Sequence, residues 1–194
     1  MHPISPEEYI NLEVMENNPV YFGEALEICK RFGLLPIMKL RNNYDDELII
    51  QFYTTVHFGG EDDKTLTWMT KDQVLTAHWS EFATLIGYPI RPNNGWIVHT
   101  KDNASPVDVL SPLYIPGWGT AGKVAHLQPT YDIMLRVYLN TIAPKGGNFD
   151  AIHAFSIDLM LQTHLRKNVD QKLDVAEFIY QEMWLAVIER KLCP

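Results

Sequence analysis

Apolar residues along this chain recur with two different periods, and the change of period divides it. Ser5-Pro6-Glu7-Glu8 predicts a helix start, with Ser5 as cap, Pro6 in the first turn and Glu8 closing a capping box. Phe22, Leu26 and Cys29 follow at helical spacing and predict a helix over about Val20 to Phe32, stopped at Gly33 and separated by Pro36 from what comes next. Asp45-Asp46-Glu47 puts acids at the positive end of a third helix, expected to carry Leu48, Ile49, Phe52 and Tyr53 inward.

From Thr54 the period falls towards two. Thr54–Phe58 is β-branched and aromatic, Gly59–Asp63 is rich in turn formers, and Thr65–Thr70 alternates polar and apolar. Lys71-Asp72 suits a second tight turn before Gln73–His78, so the stretch reads as a small antiparallel β-meander. A short helix is expected next, with Ser80 as cap, Phe82, Leu85 and Ile86 on one face and Gly87 as its end. Residues 88–128 are broken by Pro89, Pro92, Pro106, Pro112 and Pro116 and read as one long loop, a length that is often functional.

Helical spacing then returns. Tyr131, Met134, Leu135, Tyr138 and Ile142 make one stripe over Pro129–Ile142, and Asn148 is placed to cap a helix over about Phe149–Leu165 carrying Ile152, Phe155, Leu159 and Met160. Asp174 to Glu177 is a capping box that opens a helix to about Lys191, whose Phe178, Ile179, Met183, Trp184, Ala186, Val187 and Ile188 leave little polar face. The expected fold class is α+β: a mainly helical domain with a small antiparallel β-meander inserted after the N-terminal helices. Its expected parts are an acidic helical stretch (1–53), the meander (54–78), a short helix with the long loop (79–128) and a three-helix part (129–194).

Composition narrows the class. At 194 residues with 46% apolar and 21% charged residues, the chain suits one globular domain. No apolar run reaches the ~20 residues a membrane span needs, and the first residues carry neither the basic nor the apolar region of a signal peptide. The two cysteines, Cys29 and Cys193, read as free thiols. Together these point to an intracellular protein of cytoplasm or nucleus. The net charge of −8 falls wholly on residues 1–63, which hold 4 basic against 12 acidic side chains. Duplex nucleic acid is bound through cations, so this balance disfavours it as a partner and leaves a protein partner as the expectation.

Motifs for chemistry fail on specific residues. Gly117–Lys123 matches the first seven positions of a phosphate loop, with Lys123 in place for the phosphates, but Val124 stands where the magnesium-binding hydroxyl belongs. Trp118 would also crowd the backbone approach that such a loop depends on. His153 and His164 share a helix but lie three turns apart, too far for one ion, and no cysteine pair or H-E-x-x-H accompanies them. No G-x-S-x-G elbow is present, and Cys29 lies on an apolar stripe where a thiol is inert. No catalytic residue, metal ligand or cofactor is therefore expected. Trp68 and Trp184 lie on periodic segments and belong to the core, whereas Trp96, Tyr114 and Trp118 in the long loop are, with Lys123, the candidate binding residues.

Several stretches together resemble a known family. Glu47–Phe58, Leu66–Thr70 and Phe82–Tyr88, followed by Leu127–Tyr131, Thr141–Asp150, Ile152-His153, Lys172–Val175, Glu182-Met183 and Glu189–Lys191, resemble in order and spacing a domain of grass retrotransposon-derived proteins, the plant transposon protein domain. The resemblance runs over residues 45–194. It implies a plant transposable-element origin and supplies no catalytic residues. The function expected from it is a non-enzymatic protein-interaction domain, domesticated as a host factor or an immune-related target. The alternatives are a nucleic-acid-binding structural protein of a retroelement and, more remotely, a nucleotide-binding enzyme using Gly117–Lys123.

Overall fold

A computed structural model describes residues 11–40, 45–59, 63–88, 111–117, 123–142, 154–169 and 171–192. Among them are eight α-helices: α1 Leu12–Asn17, α2 Pro19–Phe32, α3 Leu35–Lys39, α4 Asp46–Thr55, α5 Trp79–Leu85, α6 Pro129–Thr141, α7 Ala154–Arg166 and α8 Val175–Leu192. Three strands, β1 His57–Phe58, β2 Thr65–Thr70 and β3 Gln73–His78, form one antiparallel sheet in the order β1-β2-β3. The protein is thus α+β and mainly helical, with the small meander where the sequence predicts it. The helix start at Ser5–Glu8 and the cap at Asn148 lie outside the described residues.

The chain divides into two compact units, each built from separated segments: Met1–Lys39 with Asn94–Leu173, and Leu40–Asn93 with Asp174–Pro194. In the first unit, Asn11 caps α1 by accepting the Val14 N–H at 3.1 Å. Pro19 opens α2, where its missing N–H costs nothing. Gly33 ends that helix at φ 74°, and the N–H of Leu34 returns to the carbonyl of Cys29 at 2.9 Å. A side chain at this left-handed position is strained, which is why glycine occupies it. Pro36, read as a break, instead sits in the first turn of α3. The reason is local: proline forbids helix before it, not after it. Helix α2 packs on α6, and α6 on α7. Leu26, Cys29, Phe32, Met134, Leu135, Tyr138, Leu159 and Met160 are buried in this unit, close to the stripes expected.

The second unit covers one face of the sheet with helices. Its core is Val56, Leu66, Trp79, Ala83, Ala176, Tyr180, Met183 and Val187, flanked by Phe52, Phe58, Trp68 and Phe82. Tyr180 is the hub, with its ring centroid 4.9 Å from Trp79 and 5.4 Å from Phe58. Helix α8, read from the sequence with the two helices before it, supplies this core. Asp174 accepts the Glu177 N–H at 3.1 Å to start it, and Glu177 takes the Lys64 ammonium at 2.6 Å.

Several local expectations shift. The strand expected over Thr54–Phe58 begins only at His57, because α4 continues to Thr55. His78, not Ser80, caps α5: its Nδ1 accepts the Ser80 N–H, and Glu81 Oε2 accepts the His78 N–H at 2.9 Å. Leu48 and Leu85 point away from the core and are exposed. Trp184 lies at the edge of the buried face of α8 and is 37% exposed, so it is no core residue, whereas Trp79 is buried.

Candidate functional site: the open edge of the sheet

The four residues singled out for binding separate in space and in kind. Trp96 and Trp118 lie outside the described residues. Tyr114 is buried and forms an antiparallel bridge with Leu127, tightened by the Ile115 N–H donating to the His126 carbonyl at 2.9 Å. Gln128 clamps the same turn by donating from Nε2 to the carbonyls of Pro112 and Tyr114. Tyr114 therefore fastens the turn that holds it to the residues just before α6. Lys123 is exposed on the other arm of this clamp, with Gly117 at φ 81° before the loop. The backbone after Lys123 makes one 3-10 turn, Val124–His126, and not the α-helix whose first N–H groups a phosphate loop uses.

A polar cluster that the sequence does not announce ties α2, α6 and α7. Glu24 accepts from the Thr130 hydroxyl at 2.7 Å and from Lys167 at 2.9 Å. The Lys167 ammonium lies 5.6 Å from the ring centroid of Tyr131, whose hydroxyl bonds Nδ1 of His164. The bond to Thr130, with Lys167 beside it, holds the Glu24 carboxyl below its ordinary range. Burial pushes the Tyr131 hydroxyl up and the His164 ring down, so both are held neutral. A neutral phenol and a neutral imidazole bonded to one another form a latch between helices; neither is activated as a base. Burial likewise pushes the Cys29 thiol up to about 12, which keeps it protonated beside Met134. Among the described residues no group of three or more His, Cys, Asp or Glu is placed to hold a metal ion.

The sheet offers a different kind of chemistry, that of its own main chain. Thr70 pairs with Gln73 across the two-residue turn Lys71-Asp72, and Lys71 adopts φ 51° to make it. The Gly59 N–H donates to the Thr65 carbonyl at 2.8 Å, and the Met69 N–H to Thr55 Oγ1 at 2.9 Å. Residues 65, 67 and 69 thus turn their main-chain groups towards β1 and the end of α4, and 66, 68 and 70 turn theirs towards β3. Their partners 77, 75 and 73 face back. By the alternation of an antiparallel ladder, Val74, Thr76 and His78 direct N–H and C=O outward from the sheet. Glu81 takes the His78 N–H. Among the described residues nothing bonds the outward groups of Val74 and Thr76.

The two edges of the sheet are treated differently. β1 is two residues long, and beyond it the Thr55 hydroxyl covers β2 by bonding both N–H and C=O of Met69. β3 is six residues long and exposed along nearly its whole length. It carries no Lys, Glu, Asp or Pro, the residues that ordinarily blunt an edge. Val74, 64% exposed, stands opposite the exposed Met69 on the outer face, and Leu75 is exposed beside Trp68 on the inner one. One signal for this was present in the sequence: the last strand of a meander is an edge, and adjacent Val74 and Leu75 cannot both face one core. No family model matches the chain, and neither the curated proteins nor the solved structures contain a significant match to it.

Proposed function

We propose that this chain is a non-enzymatic protein-interaction domain of plant transposable-element origin, serving as a host factor inside the cell, and that it takes hold of partners by its sheet. The observation that carries the interaction reading is the bare β3 edge, where outward main-chain groups at Val74 and Thr76 lie beside exposed Val74, Leu75 and Met69. An extended segment can add to such an edge as a further strand. The origin rests on the resemblance of residues 45–194 alone. No helix among the described residues is long and apolar enough to cross a membrane.

The test compares proteins retained from cereal leaf extract by the wild-type chain and by Thr76→Pro, quantified by mass spectrometry. Specific proteins retained by the first and lost from the second are expected. If the two retain the same proteins, and the wild type instead binds DNA or RNA tightly near 50 mM salt, the domain is a nucleic-acid-binding protein of the element.

A further inference from the structure

The last turn of α4 stands where the register of the sheet has room for strand. β1 pairs His57 with Thr67 and Phe58 with Leu66. Continued backwards in that register, Val56 falls opposite Trp68, Thr55 opposite Met69, Thr54 opposite Thr70 and Tyr53 opposite Lys71. The Gly59 N–H bonds the Thr65 carbonyl, so by the alternation of an antiparallel ladder Thr55 and Tyr53 would exchange main-chain bonds with Met69 and Lys71. In the helix two side chains make these bonds instead. Thr55 Oγ1 accepts the Met69 N–H at 2.9 Å and lies 3.3 Å from the Met69 carbonyl oxygen. Gln51 Oε1 accepts the Lys71 N–H at 2.9 Å, while its Nε2 donates to Glu47.

We infer that Tyr53–Val56 is a helix–strand switch, in which the last turn of α4 unwinds and β1 extends back along β2 to Tyr53. The register needs no shift, and the Met69 and Lys71 N–H groups are bonded in both states. The residue types favour the change: Tyr53, Thr54, Thr55 and Val56 are aromatic or β-branched, poor in helices and good in strands. Side-chain parity fits as well. Val56 is already extended, at ψ 132°, and buried, and the ladder keeps it on the inner face with Phe58. Thr55 would lie on the outer face beside the exposed Met69.

The helical state is held by the Phe52 ring, whose centroid is 5.6 Å from that of Trp68 and 5.3 Å from that of Tyr53. That hold is limited, because no residue of α4 is fully buried. The first turn keeps its own support, since Asp45 Oδ1 accepts the Glu47 and Leu48 N–H groups at 2.9 and 3.2 Å. In the strand state Phe52 moves to the level of Asp72 and uncovers Trp68, and β1 grows from two residues to six, Tyr53–Phe58. The switch needs no partner, so its test is separate from that of the interaction reading.

Carbon relaxation dispersion on the isotope-labelled full chain reads the two states. In the wild type, exchange is expected at Tyr53, Thr54 and Thr55, with minor-state Cα shifts moving from helical to extended values, while Asp46–Ile50 stay helical. Thr55→Val removes the hydroxyl that covers Met69 but keeps the β-branch, and should raise the strand population roughly tenfold. An Hα–Hα NOE between residues 54 and 70, close only in the ladder, should then appear. Thr54→Ala, at an exposed position, favours helix and should lower the strand population roughly threefold. No exchange in the wild type and no strand signature in Thr55→Val overturn the switch, the first alone sufficing if that variant does not fold. Exchange spread evenly over Asp46–Thr55 towards coil shifts overturns it too, because the whole helix is then undocking.

Discussion

His164 joins two helices through a bond that only its neutral ring can accept. When the ring is neutral with its proton on Nε2, the Tyr131 hydroxyl donates to Nδ1. Burial and the nearby Lys167 ammonium lower its pKa in the fold. Unfolded, the ring titrates near its ordinary value of about 6.5. A lowered folded pKa means that the unfolded chain takes up the proton first, so this contribution to stability is complete above about 6.5 and is lost as pH falls through the folded value. Melting temperatures from pH 7.5 to 5 should therefore fall for the wild type more steeply than for His164→Gln, which accepts from Tyr131 without titrating. Equal slopes would remove His164 from the acid response. Glu24, Lys167, Tyr131 and Arg31 all lie about this latch, Arg31 through its bond to the Lys167 carbonyl, and among these Glu24 adds an acid loss of its own at lower pH. None of this was legible in the sequence. Glu24, Tyr131, His164 and Lys167 share no motif, and only the packing of α2, α6 and α7 brings them together.

At the level of elements, the periodic segments were legible and their facing was not always so. α2, α6, β2 and β3 lie where the spacing of Leu26 and Cys29, of Tyr131 to Tyr138, and of the alternating Thr65–Thr70 places them. The misread faces share a cause, which is that a short helix has too few turns for a stripe to be unambiguous. In α5 the face is set by Trp79, Phe82, Ala83 and Ile86, which recur at i, i+3, i+4 and i+7, and Leu85 falls more than a quarter-turn off it. In α4 the inward side is half-buried Ile49, Phe52 and Tyr53, continued by buried Val56 at the C-cap, leaving Leu48 exposed for the same reason. Trp79→Ala should cost about 3–5 kcal/mol, since it empties the space between Phe82 and Tyr180. Leu85→Lys should change stability by no more than about 0.5 kcal/mol. Urea denaturation of both variants checks the face directly, and a Leu85 variant as damaging as the Trp79 one would restore the original expectation.

For the molecule as a whole, neither unit is continuous in sequence. The first needs Leu26, Cys29 and Phe32 from α2 to cover α6, and the Leu173 N–H donates back to the Phe32 carbonyl at 3.1 Å. The segment 94–173 made alone lacks that half of its core. It is expected to be largely unfolded by amide-proton dispersion, and addition of the 11–39 segment should restore some of the signal; native dispersion from 94–173 by itself would show a self-sufficient core. Composition cannot reveal such interleaving, because the apolar face of α8 reads the same whether a helix or a sheet awaits it. The second unit is interleaved in the same way. Its sheet is complete in sequence at His78, but Ala176, Tyr180, Met183 and Val187, which cover it, lie about a hundred residues further on. A ribosome adding roughly 5–20 residues per second leaves that apolar face uncovered for on the order of 5–20 seconds. During each round of synthesis the inner face of the sheet therefore waits for α8, and the second unit can complete its core only once that helix has been made.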